Sequence, residues 1–68
     1  MDKNICQKIE QYLQNKFQSD IIKVVPRAQK TDSAEVFIKD EFIGVIYVDD
    51  EDEDLSYSFN MAILDIDL

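Results

Sequence analysis

The sequence predicts an α+β fold: one N-terminal helix packed on a four-stranded antiparallel β-meander, in the order α-β-β-β-β. Three observations carry that expectation. Apolar residues recur every fourth position near the start of the chain, and they alternate every second position near its end. Between these segments lie runs of β-branched residues separated by short polar connections. The 68 residues hold one glycine, one proline and 46% hydrophobic residues, a composition that belongs to a folded chain rather than a disordered one. Residues 1–68 read as a single small domain with no repeat, linker or internal boundary.

The helix is expected over residues 3–17. Ile5, Ile9, Leu13 and Phe17 form one apolar stripe with Tyr12 beside it. Lys8, Glu10, Gln11, Gln14 and Lys16 stand between them and suit water. Asp2 or Asn4 is placed to cap the start, and Ser19 with Asp20 marks the end. A helix of about 15 residues covers roughly 22 Å, enough for one face of a small sheet and not for two.

Residues 21–26 read as a strand. Pro26 cannot donate to a ladder, so this strand belongs at an edge or stops there. Residues 27–32 are polar and form a loop. Residues 33–39 alternate, with Ala34, Val36 and Ile38 on one side and Glu35, Phe37 and Lys39 on the other. Residues 41–48 are apolar on both faces, as an inner strand is. A short connection at Lys39 and Asp40 makes these two a hairpin. A two-residue turn pairs Ile38 with Glu41 and Val36 with Ile43, which groups Ala34, Val36 and Ile38 with Ile43, Val45 and Tyr47. A three-residue loop instead groups them with Phe42, Gly44 and Ile46. The shorter turn is the more frequent type.

The acidic run 49–54 reads as a loop. Residues 55–63 then alternate strictly, with Leu55, Tyr57, Phe59, Met61 and Ile63 on one face, and form the last strand. After Ile63 the phase flips to Leu64, Ile66 and Leu68, which calls for a bulge or bend near Ile63 and Leu64.

Charge is distributed unevenly. The net charge is −8. Residues 1–39 hold all seven bases against five acids, +2, and residues 40–68 hold ten acids and no base, −10. Such a second half repels phosphate, so neither nucleic acid nor an anionic membrane is expected as a partner. No apolar run reaches the ~18 residues of a membrane helix, and the first residues lead into an amphipathic pattern rather than a signal-peptide core. Cys6 is the only cysteine and there is no histidine. An internal disulfide and a Cys/His metal site are therefore excluded, and the composition fits a soluble protein of a reducing cytoplasm.

The segments Val24-Val25-Pro26-Arg27, Asp32-Ser33-Ala34-Glu35-Val36, Asp40-Glu41-Phe42-Ile43-Gly44-Val45, Val48-Asp49-Asp50-Glu51-Asp52 and Met61-Ala62-Ile63-Leu64-Asp65, in that order, resemble a family of short alphaproteobacterial proteins catalogued as a domain of unknown function. The resemblance covers nearly the whole chain. Lys39 and Glu53 depart from it, standing where glycines are common, and Lys39 argues against a tight two-residue turn. The resemblance implies a bacterial cytoplasmic protein and brings no activity, cofactor or catalytic residue.

The residues themselves point to no enzyme and no cofactor. Cys6 has no histidine to act as its base and lies at the edge of the apolar stripe, so it reads as packing. Asp40 with Glu41 and Asp65 with Asp67 are carboxylate pairs without a cleft to hold them. Gly44 stands alone, so no phosphate-cradling loop exists. The aromatic residues of the strands lack basic neighbours and read as core or interface rather than base-stacking platforms. Asp50, Asp52 and Asp54 carry the alternate spacing of a calcium loop. However, Leu55 stands where that loop needs glycine and Met61 where it needs a bidentate glutamate. The run 49–54 reads first as solvated surface and second as a docking patch for a basic protein partner.

What remains is a surplus of apolar surface. The inner strand is apolar both ways and one helix covers one face. A chain of this size buries only roughly 60% of its unfolded surface. The expected function is a non-catalytic protein-interaction module forming a homodimer, with Phe37, Ile43, Val45 and Tyr47 at the interface and the unbroken last strand as a second route. The alternative is a divalent-cation-binding or small regulatory protein acting through residues 49–54.

Overall fold

The computed structural model describes residues 1–50 and 54–68. Helix α1 (Lys3–Phe17) is followed by strands β1 (Ile22–Pro26), β2 (Ser33–Ile38), β3 (Glu41–Asp49) and β4 (Ser56–Asn60), then by a single 3-10 turn at Asp65–Asp67. The strands form one antiparallel sheet in the order β1-β2-β3-β4. The expected α-β-β-β-β meander is therefore the fold.

Local chemistry sets the helix ends. The Asp2 carboxylate accepts a hydrogen bond from the Ile5 N–H at 2.9 Å and so fills one of the unpaired donors of the first turn. At the other end Gln18 enters the left-handed region at φ 52°, and the Ser19 N–H returns to the Gln14 carbonyl at 2.9 Å. As expected, β1 lies at an edge of the sheet and ends on Pro26.

The core lies between α1 and one face of the sheet. It consists of Cys6, Leu13, Ile22, Val24, Ala34, Val36 and Ile46, with Ile9, Ile38, Ile43 and Tyr57 packed against it. Each large aliphatic side chain here contributes about 1.5–3 kcal/mol by leaving water. On the helix, the apolar stripe is rotated from the expected one. Cys6 and Leu13 are buried, whereas Phe17 is 58% exposed. The rotation points Glu10 and Gln14 at β1 instead of at water.

The hairpin turn has two residues, with Ile38 opposite Glu41. Lys39 makes it by taking φ 56°, a conformation that glycine adopts more readily. The register then shifts. Phe37 pairs with Phe42 and Val36 with Gly44, which leaves Ile43 as an extra residue on β3. This corrects the expected pairing of Val36 with Ile43. It also corrects the expected grouping of Ala34, Val36 and Ile38 with Ile43, Val45 and Tyr47. Ala34 and Val36 share the helix-side face with Gly44 and Ile46 instead. Bulging lets Ile43 reach the core, while Phe37 and Phe42 meet edge to face at 5.7 Å.

Strand β4 is shorter than its alternating pattern, ending at Asn60 opposite Val45. The bend expected at Ile63 and Leu64 is thus replaced by the end of the ladder at Asn60 and a 3-10 turn that starts five residues beyond it.

Candidate functional site

Helix α1 sits over β1, and the sheet extends past it towards β4. This offset leaves a groove on the helix side of the sheet. One wall is Ile9, Tyr12, Leu13 and Phe17 of α1; the other is Tyr57, Phe59 and Met61 on and beyond β4. Ile46, Val36 and Ile43 form the floor. The part nearest Tyr57 encloses about 400 Å³ and carries Lys8 at its rim; the part nearest Met61 encloses about 260 Å³. Apart from Lys8 and Ser19, every lining residue is apolar or aromatic.

Gly44 shapes the groove. A Cβ at this position would run into the Asn60 carbonyl oxygen and come within 2.6 Å of the Phe59 ring. Only glycine lets β4 lie this close to β3 with Phe59 folded over it. The role of Gly44 is therefore packing, and no spacing in the sequence announces it.

The two edges of the sheet are treated differently. Along β1, the Gln14 side-chain amide donates to the Ile22 carbonyl at 2.9 Å, and the Glu10 carboxylate accepts from the Val24 N–H at 2.9 Å. Two outward-facing backbone groups of that edge are thus occupied by helix side chains, and Pro26 ends it. Along β4, the Val48 N–H donates to the Asp32 carbonyl on the far side of β3. Ladder bonds alternate sides along a strand, so Tyr57, opposite Val48, turns its backbone groups outward, and Phe59, two residues on, does the same. No helix side chain reaches that edge among the described hydrogen bonds.

The residues expected at an interface separate. Phe37, Val45 and Tyr47 lie on the face away from the helix, with Val25 and Phe42 exposed nearby, whereas Ile43 packs against the core. Of the candidate cation ligands, Asp50 and Asp54 are exposed, and Asp52 lies outside the described residues. No group of three metal-ligating side chains occurs among the described residues. Asp40, Glu41, Asp65 and Asp67 are all exposed. Cys6 is 1% exposed, and burial pushes its thiol pKa up, which favours the neutral, unreactive form. Ser33, fully buried, takes a hydrogen bond from the Arg27 guanidinium at 3.4 Å. No described helix is long and apolar enough to cross a membrane.

Beyond Asn60 the chain leaves the sheet with Ile63, Leu64, Ile66 and Leu68 all exposed, the last two at 88% and 89%. Sequence periodicity identifies these residues as apolar and out of phase with β4; it does not show that they stand free of the core.

The family described as "Protein of unknown function (DUF3126)" matches residues 6–67, and the chain belongs to it. No curated protein and no solved structure matches.

Proposed function

We propose that this protein is a non-catalytic interaction module that self-associates as a symmetric homodimer, with β4 as the joining element. The inequality of the two sheet edges carries this reading. Helix α1 occupies the backbone of β1 with Glu10 and Gln14, while β4 keeps outward-facing groups beside an apolar groove. An open strand edge is a template for another strand, and antiparallel pairing of β4 with its own copy satisfies two-fold symmetry. Both helices would then lie on the same side of an eight-stranded sheet. The resemblance to short bacterial proteins and the single reduced cysteine support a cytoplasmic setting. The acidic excess argues against nucleic acid as the partner.

Light scattering at micromolar concentration tests the reading. The expected mass is twice the 7.9 kDa of the chain. Ser58 is exposed on β4 and lies near the two-fold axis of such a pairing. Ser58→Glu would place like charges against each other there, and the dissociation constant should rise at least tenfold, about 1.4 kcal/mol, with the melting temperature unchanged at concentrations low enough for the chain to be monomeric. A wild-type mass of 7.9 kDa sinks the reading.

A further inference from the structure

We infer that the groove between α1 and β4 is filled by residues 63–68 of the second copy, so that the dimer exchanges its C-terminal segments. The inference rests on the reading of β4 as the joining element and adds to it the occupant of the groove.

Three observations converge on that occupant. The first is apolar complementarity within one chain. The groove is lined almost wholly by apolar and aromatic residues, and Ile63, Ile66 and Leu68 project from the same fold largely exposed, while Leu64 lies beside Phe42, Val45 and Tyr47 on the face away from the helix. Two copies related by a two-fold axis provide two grooves and two segments, so every such surface is used once.

The second is charge. Lys8 stands on the rim of the wider part of the groove, and Lys16 lies one further turn beyond Tyr12, its ammonium 5.4 Å from that ring. The exposed segment carries Asp65 and Asp67 between its apolar residues, and residues 40–68 contain no base. An acidic, apolar segment thus meets an apolar groove with a basic rim.

The third is reach and area. In an antiparallel β4 pairing, Asn60 of one chain lies near the start of the partner's β4, beside the Tyr57 end of the groove, where Lys8 and Ile9 sit. The eight residues from 61 to 68 span up to roughly 26 Å when extended. The helix wall from Lys8 to Phe17 is about 14 Å long. A stable dimer buries roughly 800 Å² on each partner, about one-seventh of the 5621 Å² that this chain exposes. A five-residue strand edge falls short of that area, and the exchanged segments supply the remainder.

The test uses the full chain. Ile66→Asp with Leu68→Asp alters only residues that are almost fully exposed, so the fold should melt unchanged at low concentration. The dissociation constant should rise at least a hundredfold in sedimentation or light scattering. In parallel, a Tyr12→Cys chain mixed with an Ile66→Cys chain and oxidised should give a disulfide between the two copies; Cys6, at 1% exposure, stays out of the reaction. If the double aspartate variant dimerises as tightly as wild type while Ser58→Glu weakens it, the exchange is wrong and the β4 reading stands. If a chain carrying both cysteines cross-links within a monomer at high dilution, the segment covers its own groove and the exchange is wrong. A wild-type chain that stays monomeric at micromolar concentration overturns both.

Discussion

Strands β1 and β4 are the two edges of one sheet, each five residues long, and the chain handles them in opposite ways. β1 is covered by its own helix. Leu13 and Cys6 bury its inner face together with Ile22 and Val24, Glu10 and Gln14 bind its backbone, and Pro26 stops it. β4 is held from one side only, through β3, and keeps Tyr57 and Phe59 over a groove rather than under a helix. The difference comes from the placement of α1, which follows β1 instead of the middle of the sheet. A single helix on four strands has to leave something uncovered, and here that is the face away from the helix and, on the helix side, one contiguous strip along β4.

That contrast can be broken most severely at Gly44. Gly44→Val places methyl groups where the Asn60 carbonyl and the Phe59 ring already lie. We expect a loss of about 3 kcal/mol in denaturant melts, with Phe59 displaced and self-association lost at the same time. Unchanged stability would show that β4 does not depend on that close approach.

A smaller effect comes from opening the guarded edge. Glu10→Ala removes a charged acceptor from the Val24 N–H and should cost about 2 kcal/mol; Gln14→Ala, acting on the Ile22 carbonyl, should cost about 1 kcal/mol. With both in place β1 becomes a second open edge, so assemblies should grow beyond dimers with concentration. If the double variant stops at the wild-type mass, the two side chains are not what keeps β1 solitary.

The smallest effect concerns Cys6, buried beneath the helix on the guarded side. Burial raises its thiol pKa above the ordinary 9.0, with the nearby acids Asp2 and Glu10 adding to the rise and the N-terminal ammonium opposing it. The folded state therefore holds this proton more tightly than the unfolded chain does. The contribution is complete below the unfolded pKa and falls away as pH rises through the folded one. Melting temperature should decline more in wild type than in Cys6→Ala as pH rises above about 8. Parallel curves would mean that the thiol plays no part.

Much of this architecture is legible in the sequence, and the exceptions share a cause. The helix over Lys3–Phe17, its Asp2 cap, the edge position of the strand ending at Pro26 and the meander order all follow from local periodicity and side-chain chemistry. The β2–β3 register does not. β3 is apolar on both faces, so alternation fails to say which residue is extra, and only packing places Ile43 on the bulge. Glu10 and Gln14 look like water-facing helix residues until the helix is seen to lie along an edge strand whose backbone needs partners. The alternation that continues to Ile63 overstates β4, because its ladder stops at Asn60, just before β3 reaches Gly44 and the bulge. Of the candidate site, the apolar surplus is visible in the composition. The groove is not, since it depends on where along the sheet the helix comes to rest.

The sequential nature of the contacts has a consequence for how the chain acquires its structure. Each element packs chiefly on the one that precedes it: β1 on α1, β2 on β1, β3 on β2 and β4 on β3. Few loops must close over long stretches of chain before a favourable contact forms, which is the topology of rapid folding. During synthesis the helix and the first strands can assemble while the C-terminal residues are still being added. Until β4 docks, β3 is itself an edge, apolar on both faces. The speed with which the last strand arrives then sets how long a nascent chain is exposed to pairing with the wrong neighbour, and the ten carboxylates of the second half act over that same interval as a repulsive brake between chains.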